Sequence, residues 1–413
     1  MEPPLIDHLF RHHSGKMVSV LTRIFGLEHF EIIEDAVQDT FIKASIAWRN
    51  NLPENPEAWL TQAAKNRVLD IFRKLKAKKK YLPEFKHGLE AIAMKDLFLD
   101  EEIEDAQLRM IFTACHPQLD ARDRISFALK TVSGFNAKEI SSALLAKEET
   151  VKKRLSRARK VIKESSLKFS IPQGKELPHR LASVMEVLYL IFNEGFHSNR
   201  QEKLIREDLC REAMRLCKML LKNENTRTSA VYALLALMCF HAARLDAKLN
   251  SENELIDLKT QDRGKWYFPY IEFGNTMMNK AVENEEYTSY HYEAAIAAEH
   301  VRAKRFEDTR WDKILYWYQC LYHIQPMPIH LLNMSVVCLQ NKSFDQAKEF
   351  LDQISPSDFS QRAYLYYGAL ADYHFVMKEE SDALIQLDLA LATVTNEMEK
   401  KYIQRKKMNL LKK

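Results

Sequence analysis

The chain of 413 residues has only nine glycines and twelve prolines. Both residues punctuate tight turns and short strands, so their scarcity excludes a hairpin-rich β architecture and predicts long helices throughout. None of the six cysteines, at positions 115, 210, 217, 239, 320 and 338, forms a Cys-x-x-Cys pair, which predicts buried thiols of a reducing compartment rather than a disulfide framework. Cys115 beside His116 has no further ligand at zinc-like spacing, and Pro117 behind it marks a helix end; no metal and no cofactor are assigned. A P-loop, a dinucleotide-binding glycine fingerprint and an HExxH motif are also missing, so no enzymatic constellation is expected. The opening MEPPLIDHLFRHHSGK lacks the apolar core of a signal peptide, and the longest apolar run, Ser229 to Cys239, is too short to cross a bilayer. A cytoplasmic protein with no membrane partner is expected. No large excess of either charge occurs: the formal net charge is +4, so any affinity for nucleic acid must come from local patches.

One such patch is GFNAKEISSALLAKEETVKKRLSRARKVIK, Gly134 to Lys163, which reads as a helix-turn-helix. Asn136 followed three residues later by Glu139 predicts a capped first helix, with Ile140 and Leu144 on one face. A second helix begins after Lys147, with an apolar seam at Val151, Leu155, Ala158 and Ile162. Its outward stripe of Glu149, Lys153, Ser156 and Lys160, flanked by Lys152, Arg157 and Arg159, offers hydrogen-bonding groups for base edges beside charge for phosphates.

Upstream, Phe30, Ile33, Val37, Phe41, Ala44 and Trp48 recur at steps of three and four, predicting an amphipathic helix whose other side carries Glu34, Asp35, Gln38, Asp39 and Lys43. After a polar loop, Asn55 and Pro56 suit the cap and first position of the next helix, WLTQAAKNRVLDIFRKLKAKKK. Leu60, Ala63, Ala64, Val68, Ile71, Phe72 and Leu75 form its buried face, while Trp59, Gln62, Asn66, Asp70 and Arg73 line a separate stripe. Lys65, Lys74, Lys76 and Lys78 to Lys80 make its end strongly basic, and acidic residues dominate Glu84 to Asp105. Beyond Pro172, helical patterns with aromatic residues continue, and Trp311, Ala347 and Ala383 recur at about 36 residues, near the tetratricopeptide period. The fold class expected is all-α, ending in a stack of helical hairpins.

WLTQAAKNRVLDIFRK resembles the region 2 signature of bacterial extracytoplasmic-function sigma factors, roughly W-L-x-x-x-A-x-N-x-x-x-D-x-x-R, matched by Trp59, Leu60, Ala64, Asn66, Asp70 and Arg73. DAVQDTFIKA resembles the region 2 helix that docks on the polymerase clamp, and the helix-turn-helix resembles region 4, although its turn, LLAKEET, lacks the glycine common there. LYLIFNEGF at Leu188 to Phe196 and TQDRGKW at Thr260 to Trp266 resemble the subgroup with a C-terminal tetratricopeptide-like domain. The resemblance implies sigma region 2 over 1–82, an acidic linker over 83–105, region 4 over 106–168 and the helical extension over 173–413. It implies core RNA polymerase and promoter DNA as partners. Asp35, Gln38, Asp39 and Lys43 would meet the polymerase. Asn50, Asn51, Trp59, Asn66 and Arg73 would hold the unpaired strand of the minus-ten element, and Lys65 and Lys74 would grip phosphates. Glu148, Glu149, Lys152, Lys153, Ser156 and Arg157 would read the minus-thirty-five element. Asn193, Glu194, Asp262 and Arg263 would form a buried network, a ligand pocket or a contact with the sigma core, and the extension would regulate the sigma module through a protein or small-molecule partner. Two competing readings are a free-standing helix-turn-helix regulator with a helical sensor domain, which needs neither Trp59 nor Asn66, and a scaffold whose basic patches bind RNA or acidic partners.

Overall fold

A computed structural model describes residues 3–48, 52–78, 100–144, 146–165, 167–196, 206–250, 252 and 254–411. Among the described residues the regular structure is helical, with a single isolated bridge between Leu249 and Leu255. Two compact units divide at Ile191 and Phe192.

The first unit contains α1 (Pro3–Phe25), α2 (Phe30–Ala47), α3 (Pro56–Lys78), α4 (Asp100–Ala114), α5 (Ala121–Thr131), α6 (Ala137–Ala143), α7 (Glu148–Glu164) and most of α8 (Glu176–Phe196). The period of α2 puts Phe30, Ile33, Val37, Phe41 and Ala44 into the core, followed by Trp48. Asn55 accepts from the Ala58 amide at 3.0 Å and so satisfies an orphan donor of the first turn of α3. That helix then buries Leu60, Ala64, Val68 and Phe72. At the end of α4 the Cys115 carbonyl accepts from Ser183 Oγ at 2.7 Å. Burial pushes the Cys115 thiol up to about 12, and burial with Arg180 pushes His116 down to about 4. A thiol so hard to ionise suits the helix-end reading of this pair.

Residues that resemble regions 2 and 4 interlock within this unit. A Cβ on Gly15 of α1 would lie 2.4 Å from the Val132 carbonyl oxygen beyond α5, so only glycine permits the approach. The rings of Phe30 and Phe127 meet at 5.4 Å. Gly134, at φ 68, takes the left-handed conformation that turns the chain from α5 toward α6.

The second unit holds α9 (Glu207–Lys222), α10 (Ser229–Ala242), α11 (Phe268–Ala281), α12 (Ser289–Arg302), α13 (Trp311–Ile324), α14 (Pro328–Gln340), α15 (Phe344–Asp352), α16 (Ala363–Val376), α17 (Glu380–Thr393) and α18 (Glu397–Leu411). The segment Ser229–Ala247, with mean hydropathy 1.4, is long and apolar enough to span a bilayer, contrary to the estimate from the run ending at Cys239. It is nevertheless 72 % buried, as a core helix is. The pairs α12/α13, α14/α15 and α16/α17 are hairpins. Trp311, Ala347 and Ala383 each fall in the second helix of one. The repeat reappears in the backbone, because Lys342 and Lys378 take left-handed φ values of 59° and 63° in the turns that close successive hairpins. Of the polar groups expected to form a network, Asp262 caps its own turn at the Gly264 amide, 2.9 Å, and Arg263 reaches carbonyls of His300 and Ala303. Glu194 is partly buried, and burial raises its carboxyl above the ordinary range.

Candidate nucleic-acid interface

Trp59, Asn66 and Arg73 lie at intervals of seven on α3, so they share one face. Trp59 is half-buried, its ring edge-on to Trp48 with centroids 5.3 Å apart. Gln62 Nε2 donates to Asn66 Oδ1 at 3.0 Å, which orients an exposed amide toward solvent. Arg73 and Lys74 are exposed at the far end, with Asp70 3.5 Å from Arg73. Lys65 corrects the expected phosphate grip: it is only 7 % exposed, because it follows Ala64 on the buried side of α3. Asn50, Asn51, Lys79, Lys80 and the acidic stretch from Glu84 to Asp96 lie outside the described residues, as do the side chains of Lys76 and Lys78.

On α2, Asp35 and Lys43 are exposed, while Gln38 and Asp39 are half-buried. Asp39 accepts from Arg67 Nε and Nη2 of α3 at 3.1 and 2.7 Å, so one carboxylate both braces the two helices and borders the surface. Partial burial and then the neighbouring Glu34 hold the Asp35 carboxyl above its usual range. The sequence pattern missed Ile42 and Ile46, which are 60 % and 62 % exposed beside Lys43. Their signal was present: both fall out of phase with the Phe30 to Trp48 seam. Glu34 is the second correction. It was read on the wet side, yet it is 5 % exposed and accepts from Arg159 Nε and Nη2 at 3.1 and 2.7 Å, with Lys130 at 3.6 Å.

The helix-turn-helix forms from local chemistry. Asn136 and Glu139 make reciprocal 2.8 Å bonds to each other's backbone amides, a complete capping box for α6. Leu144 and Lys147 have φ values of −95° and −65°, so these described turn residues do not require the missing glycine. Val151, Leu155, Ala158 and Ile162 are all buried. Outward, Glu148, Glu149, Lys152, Lys153, Ser156 and Lys160 are exposed. Lys152 lies 3.1 Å from Glu148 and 3.4 Å from Glu149, surface contacts weak enough to yield to a phosphate. Lys153 and Ser156 have no intramolecular partner among the described residues. Arg157 is exposed as well, and its Nε and Nη2 donate to Asp123 of α5 at 2.9 and 2.7 Å; Asp123 is 4 % exposed, so this pair also ties the recognition helix to its support. Arg159 is likewise spent on Glu34.

Comparisons with known proteins agree with this layout. Residues 9–78 match a family described as Sigma-70 region 2, and residues 109–162 match Sigma-70, region 4. Residues 180–282 match a family of unknown function, DUF6596. The Uncharacterized protein R00370 of Rhizobium meliloti is 30 % identical over 394 residues, 94 % of this chain and 91 % of that protein. The ECF RNA polymerase sigma factor SigE of Mycolicibacterium smegmatis is 27 % identical over 168 residues, 40 % of this chain and 63 % of its own length. The Ferric citrate uptake sigma factor FecI of Escherichia coli is 26 % identical over 152 residues, 37 % of this chain and 85 % of its own. No solved structure matches the chain. With both DNA-facing modules in family order and a helical unit behind them, the chain belongs to the extracytoplasmic-function sigma factors of the sigma-70 family and carries a C-terminal extension.

Proposed function

We propose that this sigma factor binds core RNA polymerase and places it on a promoter through two surfaces of the first unit. The face of α3 would take the unpaired non-template strand at the minus-ten element. Flipped bases need a planar group and edge-reading amides, and phosphates need cations; Trp59, Asn66, Arg73 and Lys74 supply these along one helix. Glu148, Glu149, Lys152, Lys153 and Ser156 would meet the minus-thirty-five element, with Arg157 holding their helix in position. The exposed Ile42 and Ile46, bordered by Asp35, Gln38, Asp39 and Lys43, would dock on the polymerase, a partly apolar patch of the kind that interfaces bury.

The observation that carries this reading is the α3 stripe, which a free-standing regulator does not need. Trp59→Ala and Asn66→Ala are expected to lower promoter opening, read by permanganate reactivity with core polymerase, by about tenfold or more while duplex binding changes little, since a base stack contributes about 1–3 kcal/mol. Equal losses in opening and in duplex binding would contradict the assignment.

The arrangement also limits when the chain can act. The two promoter elements are about 25 base pairs apart, roughly 85 Å of duplex at ~3.4 Å per step. A unit of this size is only about 40 Å across. Its two DNA-facing helices must therefore separate to use both elements at once, and the Glu34 pairing with Arg159 and Lys130 has to break together with the Phe30–Phe127 and Gly15–Val132 packing. We place regulation by the extension on this step; transcription from full chain and from residues 1–191, at matched folding by circular dichroism, would test it, and identical promoter output and regulation would contradict it.

A further inference from the structure

Arg244 follows α10, Arg263 and Trp266 sit in the turn before α11, and His300 lies in the last turn of α12. The guanidinium carbons of Arg244 and Arg263 lie 5.8 and 4.5 Å from the centre of the Trp266 indole. Two like charges therefore converge on one ring. Arg244 has one hydrogen-bond partner among the described residues, Oε1 of Gln261 at 3.3 Å, against five donors on its fork. Arg263 spends Nη1 on the His300 and Ala303 carbonyls, at the C-terminal end of α12 where a cation is favoured. Its Nη2, the Trp266 Nε1 and the His300 Nδ1 are buried and without a hydrogen-bond partner.

Among the described residues no carboxylate makes a hydrogen bond or ion pair with Arg244 or Arg263. Glu307 and Asp308 lie near Arg263, but Asp308 is held by the Arg305 fork at 3.0 and 2.9 Å. Lys248, also close to Arg244, donates to the Phe196 carbonyl, and burial and then Arg244 push it down to about 7. Burial and the neighbouring guanidinium push Arg244 down to about 10, and burial with both arginines pushes His300 down to about 3. Buried charges are normally paired, and buried polar atoms left without a partner at one place, here the Arg263 and Trp266 donors and a ring nitrogen of neutral His300, signal a missing group. Lys265, Tyr267 and Phe268 of the same turn are exposed, so the cluster lies beneath a surface segment.

We propose that Arg244, Arg263, Trp266 and His300 form a binding site for a small oxyanion, the phosphate or carboxylate group of a soluble molecule. An arginine fork carries parallel donors of the geometry such groups prefer, Arg244 spends only Nε, on Gln261, and Arg263 Nη2 and Trp266 Nε1 are buried without a partner. This names a ligand class for the extension whose regulatory role is proposed above, and binding without polymerase succeeds or fails independently of that role.

The test is calorimetric titration of the full chain, in chloride buffer of matched ionic strength, with inorganic phosphate, phenyl phosphate and succinate as separate probes. Saturable binding of at least one is expected, the phosphate and carboxylate arms identifying which anion fits. Arg244→Gln should weaken it by about tenfold or more, as loss of a charge-assisted pair of hydrogen bonds implies. Lys265→Gln, a loss of nearby surface charge, should change it less than about twofold. Arg244→Lys, which keeps the charge but not the fork, should fall between and covers the case in which the glutamine variant does not fold. Absence of saturable binding of all three probes, or equal weakening by Lys265→Gln, would overturn the site.

Discussion

Buried charge is handled in opposite ways in the two units. In the first, Glu34 is 5 % exposed and is met by two cations from elements far along the chain, so its charge is answered inside the protein. In the second, Arg244, Lys248 and Arg263 gather around aromatic rings with backbone carbonyls and a glutamine side chain for company. A satisfied buried pair locks a conformation, whereas an unanswered one leaves room for something from outside. Opening the first unit therefore means breaking an internal ion pair, whereas the cation cluster of the second is the place we propose for a ligand.

The largest expected effect comes from breaking the satisfied pair. Arg159→Ala leaves Glu34 buried with only the more distant Lys130, and removing one partner of a buried pair costs about 3 kcal/mol. Urea unfolding of the full chain should show a loss of that order in the first transition, and a change within error would mean that the contact contributes nothing to the closed unit. Gly15→Ala acts at the same junction without touching charge. Its Cβ meets the Val132 backbone, which cannot give as a flexible side chain would, so a loss of about 1–3 kcal/mol and faster amide exchange in α1 and α5 are expected. Unchanged exchange there would show that the helices shift at no cost.

The second unit should respond to pH instead. His300 is held neutral down to about 3, so the unfolded chain binds the extra proton between that value and the ordinary 6.5, and stability falls as pH drops through this range. The lowered His291 acts in the same direction. Lys248 is pushed down to about 7, chiefly by burial and then by Arg244, so the unfolded state again holds more protons above pH 7 and stability rises with pH there. Near pH 9 the trend reverses, because the buried Cys210 and Cys239 thiols are pushed up to about 12 while their unfolded counterparts ionise earlier. Thermal midpoints from pH 4 to 10 in a buffer free of oxyanions should trace this profile; a midpoint flat between pH 4 and 9 would contradict the buried state of these groups. The smallest effect belongs to exposed charge. Lys153→Ala should weaken duplex binding across sequences and reduce the salt slope by about one if it meets a phosphate. A loss confined to certain upstream sequences would make it a base reader.

What the sequence made legible was local. The capping box at Asn136 and Glu139, the Asn55 cap and the seams of α2, α3 and α7 all follow from residues three or four positions apart. The same reasoning placed Trp59, Asn66 and Arg73 on one face. It failed where a partner lay far away in sequence. Glu34 read as a wet residue because Arg159 lies 125 positions on, and the tie of Arg157 to Asp123 was not visible because Asp123 belongs to another helix. Lys65 misled for a related reason: a helical period assigns a side, but a long side chain at the edge of that side can be covered by neighbours. The cation cluster was glimpsed only through Arg263, since Arg244 and His300 join it by folding alone.

The account rests on the parts that carry the two DNA-facing helices being held together, through Glu34 of α2 and Arg159 of α7, in the free chain and being apart on a promoter. Labels at Ala58→Cys on α3 and Lys163→Cys on α7, both exposed positions, can be placed selectively because five of the native cysteines are buried and the sixth, Cys320, can be replaced by serine. In a labelled chain that still directs promoter-specific run-off transcription, energy transfer should report a separation within about 40 Å when free and well beyond it, approaching the ~85 Å between promoter elements, in the polymerase–promoter complex. An active complex in which that distance does not change would contradict the closed-to-open mechanism.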